Sequence, residues 1–347
     1  MKTAIIILAV FFVIGFLVAI GTLVFGFGSF SKSLPKGEGG IYEFNGSISP
    51  TAGDGNFKQL PGSAGLRVRD FLFSKVNDGV IYVGTAGDGI WVSKDNGKSF
   101  VKALDQVFDG RVDVYDIEED FSGNLYSSIY NYKNDRGALV FSSYPPESSS
   151  EIYFSSIAKF GVFGSSIDAG NISIISSDGG FYRSLDNGKN WELRSRQEEG
   201  LLKIKSFFGK KYILTSENKI LVTSDFGKTW KDISPSNGGK KSEVKEFQLD
   251  TRTGALLALS NKIFFSQSGG VNWKELNLIV PPGDLPIVSV GIHPENLNTI
   301  YAASERILYK TRDGGNSWSI WEIPTTRKVI SLFTDSRLPN SLFLATE

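Results

Sequence analysis

Past residue 28 the apolar positions of this chain fall into short runs broken by polar turns, and none keeps the period of a long helix. Runs such as VRDFLFS, GVIYVGTA, GNISIISS, KKYILTSE, GALLALSN and NTIYAASE are rich in Val, Ile, Leu, Phe and Tyr, with alternation, and predict β-strands. They follow one grammar. An apolar strand is followed by a β-rich second strand and then by a third, as in GIWVSKD, GFYRSLD, KILVTSD, KIFFSQS and RILYKTR. A tight polar turn comes next, and a fourth strand opens on an aromatic residue. Four strands in about 40–45 residues is the size of a propeller blade.

The turn between third and fourth strands repeats most closely: SKDNGKSF from Ser93, SLDNGKNW from Ser184, TSDFGKTW from Thr223, SQSGGVNW from Ser266 and TRDGGNSW from Thr311. Its carboxylate positions are Asp95, Asp186, Asp225, Ser268 (in place of Asp) and Asp313, at gaps of 91, 39, 43 and 45 residues. The first gap is about twice the others, which predicts a decayed copy near residues 142–147. Each carboxylate is expected to accept turn N–H groups that no strand ladder satisfies. Gly97, Gly188, Gly227, Gly270 and Gly315 supply a backbone conformation closed to bulkier residues. The closing aromatics Phe100, Trp191, Trp230, Trp273 and Trp318 are expected to pack beside the turn.

On this grammar six blades cover residues 66–104, 111–154, 155–195, 201–234, 243–277 and 287–323. The chain then begins another blade at Val329 and ends at Glu347 after its two inner strands. The phrase starting at Gly39 begins like the third-strand phrase GGFYRSLDNG, carries a distorted box, and ends in an aromatic strand. Joining the two stretches predicts a seventh blade made from both ends of an all-β propeller spanning residues 40–347. Six or eight blades also fit the spacing. Closure matters because an open ring would leave sheet edges free to pair with other chains.

Composition mainly excludes. The 37 basic and 37 acidic residues among 347 balance, so no global charge points to nucleic acid. With no Cys there is no disulfide, thiolate metal site, cysteine nucleophile or lipidated Cys. A lone histidine, His293, rules out a multi-histidine metal site and reads as a surface residue beside Pro294 in a turn. Residues 4–27 are 24 uncharged, almost wholly apolar positions, enough to span a bilayer and longer than a signal-peptide core. Residues 1–28 are therefore expected to form a signal anchor and 29–39 a flexible stalk, with cleavage near Gly26 and Gly28 as the alternative. Lys2 competes with Lys32 and Lys36 over orientation, and the propeller is placed outside the cytoplasm by analogy with other anchored propellers.

The five boxes resemble the BNR/Asp-box repeat superfamily, within the wider WD40/YVTN-like repeat proteins. That group includes sialidases, sortilin-type receptors, Asp-box glycoside hydrolases and photosystem II stability/assembly factor-like propellers. A single ring closed by its termini is most similar to the assembly-factor group. Sortilin-type domains carry more blades and Cys-rich modules, and Asp-box glucanases usually carry two propellers.

The resemblance raises two chemistries. A sialidase would need an arginine triad, a Tyr–Glu pair and an acid; Arg67, Arg69, Arg111, Arg306 and Arg327 occur, but LRVRDF lacks the proline of the family's early motif. Asp70, Asp113, Asp116 and Glu119 lie near strand starts, where glycosidase carboxylates would sit. The box aspartates lack the further oxygen ligands of a calcium loop, and GTAGDG from Gly84 lacks the Gly-Lys-Ser/Thr of a phosphate loop.

Basic residues recur where the innermost strands begin: Arg67, Arg69, Arg111, Lys203, Lys205, Lys245, Arg327 and Lys328. They define a candidate patch at the channel mouth, for an acidic protein segment or a polyanionic glycan. The resemblance implies the same, since assembly-factor propellers bear an arginine patch that engages membrane-protein partners. The expectation is a monomeric, membrane-anchored, non-catalytic scaffold without cofactor or metal, binding a protein partner. The alternative is an anchored carbohydrate-active enzyme or glycan-binding module.

Overall fold

The computed structural model describes residues 39–46, 57–103, 110–143, 149–154, 162–168 and 171–347. The expected anchor, the stalk up to residue 38, the distorted box after Gly46 and most of the decayed box lie outside the described residues. Among the described residues no helix is long and apolar enough to cross a membrane.

Seven four-stranded antiparallel sheets form the body. Blade 1 runs Val68–Phe73, Ile81–Thr85, Ile90–Ser93, Val101–Ala103; blade 2 runs Val112–Glu119, Leu125–Asn131, Arg136–Ser142, Ser149–Phe154. Blade 3 runs Val162–Asp168, Asn171–Ser176, Gly180–Ser184, Glu192–Arg196; blade 4 runs Leu201–Phe207, Lys210–Thr215, Ile220–Thr223, Lys231–Asp232. Blade 5 runs Glu246–Leu249, Leu256–Leu259, Ile263–Ser266, Lys274–Leu276, and blade 6 Ser289–Ile292, Ile300–Ala303, Ile307–Thr311, Ser319–Glu322.

Blade 7 takes its inner strands, Val329–Thr334 and Leu342–Thr346, from one end of the sequence and its outer strands, Gly40–Phe44 and Phe57–Gln59, from the other. The seam runs in register from Gly40 opposite Thr346 to Phe44 opposite Leu342. Gly40 N donates to Thr346 Oγ1 at 3.1 Å, and Ile41 N donates to Ser63 Oγ at 2.8 Å. A side chain at Gly40 is barred, because its Cβ would lie 2.4 Å from Ser63 O at a φ of +135°.

The core lies in the seams between blades. Tyr82, Ile90 and Val92 of blade 1 pack on Val114, Ile117 and Ile129 of blade 2. Tyr42 and Phe44 of blade 7 pack on Tyr301, Leu308 and Trp321 of blade 6. Each sheet is thus covered on both faces. That is why second strands such as Leu256–Leu259 and Ile300–Ala303 are buried at every position rather than at alternate ones. The long link between blades 4 and 5 adds a small hairpin, Ser236–Asn237 with Lys240–Lys241, that the blade grammar omits.

First strands of successive blades line the axis and run the same way. Their starting points define an upstream end of the ring. The hairpins joining strands one to two, and three to four, lie at the opposite, downstream end.

Candidate functional site

The downstream box turns explain most of the polar residues in the repeat. In blade 3, Asp186 Oδ1 accepts Asn190 N and Ser184 Oγ, both at 2.8 Å, while Oδ2 accepts Asn190 Nδ2 at 2.6 Å. The Ser184 hydroxyl also accepts Gly188 N at 2.8 Å. Asp95 has the same partners in Ser93 and Ser99, Asp225 in Thr223 and Thr229, and Asp313 in Thr311 and Ser317. These bonds favour the charged form and hold Asp95 and Asp186 at about 2. The closing indoles do more than pack. Trp191, Trp230, Trp273 and Trp318 donate Nε1–H to Ile152 O, Ser195 Oγ, Ile233 O and Asn277 O, each on the preceding blade, at 2.8–3.0 Å.

A second polar system surrounds the axis. The inner strands carry a bulge between Val68/Asp70, Val114/Asp116, Val162/Gly164, Leu201/Lys203 and Val329/Ser331. The residue after each bulge, with Glu246 and Ser289 at the matching places in blades 5 and 6, forms a ring at one level. Asp70 Oδ2 accepts Ile117 N at 2.8 Å, Glu246 Oε2 accepts Val290 N at 3.2 Å, and Ser289 Oγ accepts Leu332 N at 3.0 Å. Lys203 Nζ donates to Phe247 O at 2.9 Å. Each partner lies on the inner strand of the next blade. A bulge aims a side chain along the seam, where the inner edge of a sheet has no further strand to pair with.

Charge is concentrated on one side of this ring. Lys205 Nζ lies 3.3 Å from Asp116 Oδ1 and 3.2 Å from Glu118 Oε1. It reaches from blade 4 to blade 2, past blade 3, whose ring position is Gly164. Burial, followed by the Asp116 charge, raises Asp70 to about 7. Burial likewise raises Glu118 and Glu246. It opposes the charge on Lys205 too, but Asp116, Glu118 and Asp70 outweigh it and hold Lys205 well above the ordinary lysine value. Lys203, whose nearest counter-charge is Glu246, is lowered by its burial.

At the upstream end of blades 1 and 2 sits an arginine–tyrosine cluster. Asp113, 1% exposed, accepts Arg69 Nη2 at 2.9 Å and Tyr132 Oη–H at 3.1 Å on the same oxygen. Arg111 stacks over the Tyr132 ring at 4.3 Å, and Arg69 over Tyr115 at 4.9 Å. Arg111 Nε stands 3.9 Å from the other Asp113 oxygen, with 54% of its side chain accessible. Two guanidinium groups thus share one carboxylate and leave a positive, ring-backed surface. Burial pushes Tyr115 and Tyr132 up, so both phenols stay neutral.

The eight basic residues singled out in the sequence therefore do not form one belt. Arg69 and Arg111 meet in the blade 1–2 cluster, which Arg67 adjoins at the foot of the blade 1 inner strand. Lys203 and Lys205 belong to the axial ring, because the bulge after Leu201 turns them towards carboxylates and a carbonyl. Lys245 is exposed where blade 5 begins. Where blade 7 begins, Arg327 is half-buried and Lys328 pairs with Glu305 at 2.8 Å.

The candidate carboxylates separate as well. Asp70 and Asp116 join the ring, and Asp113 the upstream cluster. Glu119 binds Ser74 Oγ at 2.6 Å and Lys75 N, tying the two blades together. Glu118 and Glu246 were missed; the available signal was a carboxylate inside an otherwise apolar inner strand, as in VDVYDIEE. His293 is half-buried, its Nδ1 accepting Glu295 N at 3.1 Å. Among the described residues no group of three His, Cys, Asp or Glu could hold a metal ion.

The chain is a seven-bladed β-propeller built on Asp-box repeats, and residues 220–233 match the family model of the BNR-Asp box repeat. Similar solved structures include YCF48 from Cyanidioschyzon merolae, with a TM-score of 0.66 and 13% identity over 83% of this chain and 98% of that one. YCF48 bound to D1 peptide gives a TM-score of 0.64 and 15% identity, over 81% of this chain and 92% of that chain. The GH74 enzyme of Niastella koreensis gives 0.62 and 15% identity over 81% of this chain, which spans only 51% of the enzyme. At such identities the likeness is one of fold. No curated protein matches the sequence significantly.

Proposed function

We propose that this propeller is a non-catalytic protein-binding scaffold whose binding surface is the upstream cluster of Arg69, Arg111, Tyr115 and Tyr132. The observation that carries the reading is the pair of ring-stacked guanidinium groups anchored on one buried carboxylate, Asp113. Stacking fixes a guanidinium plane without using its outward N–H groups, which suits an acidic peptide segment. The printed description of one similar structure, YCF48 bound to D1 peptide, supports a peptide ligand. The apolar segment 4–27 supports a scaffold held at a membrane; the propeller is placed outside the cytoplasm by analogy with other anchored propellers.

Affinity capture from detergent-solubilised membranes, with the intact chain against Arg111→Glu, tests this reading. A partner lost with Arg111→Glu, at unchanged melting temperature, is the expected result. Equal capture by both proteins rejects the cluster as the binding surface.

A second reading rests on a different place. The axial ring brings Asp70, raised to about 7, together with Asp116 and Glu118. A carboxyl that keeps its proton towards neutral pH, beside a second carboxyl, is the kind of pair glycoside hydrolysis uses, and GH74 enzymes share the fold. Against it, Lys205 already occupies Asp116 and Glu118. Hydrolysis of a β-glucan that Asp70→Asn abolishes would establish this reading over the first.

A further inference from the structure

Four basic groups from blades 5 and 6 gather at the downstream end, beside the seam with blade 7 and away from both sites above. Lys310 is the next-to-last residue of the third strand of blade 6, and Arg312 follows that strand in the box turn. Lys310 Nζ donates to Gly46 O at 3.3 Å, and Arg312 Nη2 donates to the same oxygen at 3.2 Å. Two cations thus stand within a few ångströms of each other with a single neutral acceptor between them. Arg252, in the blade 5 hairpin, adds to the same field, which reaches the His293 ring at the end of the first strand of blade 6. Burial, the Lys310 charge and, more weakly, Arg252 all hold His293 below its ordinary value.

The nearby carboxylates are committed elsewhere. Asp313 is taken by Thr311, Asn316 and Ser317, and Asp250 by Arg252 N and Thr253 Oγ1. The Glu295 charge favours the charged form of His293, but Glu295 meets that ring only through its backbone N–H, which donates to Nδ1. Among the described residues no carboxylate forms an ion pair with Lys310, Arg312, His293 or Arg252.

The cluster is held rigidly. The ammonium of Lys310 lies 5.8 Å from the Phe44 ring centroid and 5.3 Å from that of Tyr301. A Cβ on Gly46 would fall 2.1 Å from Phe44 Cζ, so the backbone is pressed against that ring with its carbonyl facing the cations. Burial, then the Arg312 charge, lowers Lys310 to about 8. Arg312 itself is exposed, which leaves the cluster open to solvent.

We propose that Lys310 and Arg312, flanked by His293 and Arg252, form an oxyanion site for a phosphate-type group. A dianion supplies the missing counter-charge, and the guanidinium fork matches its geometry. The aromatic wall raises the strength of each contact by thinning the solvent around Lys310.

The test uses the full chain with its lysines ¹³C-methylated, titrated by NMR in inorganic phosphate and in chloride of equal ionic strength. The Lys310 resonance, assigned by its loss in Lys310→Met, is expected to titrate below the ordinary lysine value in chloride, near 8. Phosphate should raise that titration by about one pH unit. Calorimetry should show phosphate binding weakened about tenfold by either Lys310→Met or Arg312→Gln, with Lys310→Arg close to the parent.

A Lys310 that titrates at the ordinary lysine value in both chloride and phosphate overturns the proposal. So does phosphate affinity unchanged in the Lys310→Met/Arg312→Gln double variant. Vesicles of phosphatidic acid against phosphatidylcholine separate two sources of the same group. Lys310-dependent flotation with the former assigns a lipid headgroup, and phosphate binding without flotation assigns a free anion.

Discussion

At the Asp-box turns a carboxylate holds a backbone N–H four residues further along, whereas in the channel Asp70 and Glu246 hold N–H groups 47 and 44 residues away on the next blade. Both devices satisfy donors that no ladder reaches. The box acts within one hairpin, is open to water, and repeats almost unchanged. The ring acts between blades, is enclosed, and varies in chemistry around the axis: Asp, Asp, Gly, Lys, Glu, Ser, Ser. Enclosure makes the difference energetic. A turn carboxylate that collects several hydrogen bonds at the surface is held charged, and its pKa falls; an enclosed one resists charging, and its pKa rises.

Three changes break or sharpen that contrast. The largest loss should come from Lys205→Met, which removes the ammonium that bridges Asp116 and Glu118. Removing one partner of an enclosed ion cluster destabilises by roughly 3 kcal/mol, readable in urea unfolding at pH 7. The loss should shrink at pH 5, where the raised carboxyl groups take up protons; an equal loss at both pH values would show that the cluster is solvated.

Asp70→Asn should act in the opposite sense. The folded-state pKa of Asp70 is raised from 3.8 to about 7, so the folded protein keeps a proton that the unfolded chain has released. The associated stability is fully present below pH 4 and is lost as pH rises through 7. Asparagine can still accept Ile117 N and carries no charge, so the variant should gain roughly 1–2 kcal/mol over the parent at pH 8, after allowance for screening. No gain at pH 8 would remove Asp70 from the enclosed class.

The smallest effect belongs to the box. Asp186→Ser reproduces the natural Ser268 copy, whose hydroxyl still accepts Asn272 N at 2.8 Å. Asp186 is depressed to about 2, so its contribution exists above pH 4 and disappears as pH falls through 2. A slightly lower unfolding midpoint at pH 7, merging with the parent near pH 2, is expected. A loss as large as that of Lys205→Met would mean that the turns, rather than the ring, hold the blades.

The blade repeat and the box chemistry were legible in the sequence because both are local. Strand, turn and strand recur within one blade length, and every box partner lies inside one eight-residue phrase. Lys203 and Lys205 were misplaced at the mouth for the complementary reason. Nothing within twenty residues of either reveals that a bulge turns them inward, or that Asp116 stands across from Lys205 and Phe247 O beside Lys203. The linking role of the tryptophans was hidden in the same way, since each indole donates to a residue 35–41 positions earlier on the previous blade.

The sequence by itself determined what repeats: strands bounded by polar turns, an aspartate and glycine fixing each hairpin, and an aromatic to cover it. Tertiary structure alone decided what those repeats enclose, because the axial ring, the arginines sharing Asp113, and the cations around Gly46 are each assembled across blades. Charge in such places depends on which neighbours exclude water and which supply a counter-ion. That is a property of three-dimensional proximity, and no spacing along the chain encodes it.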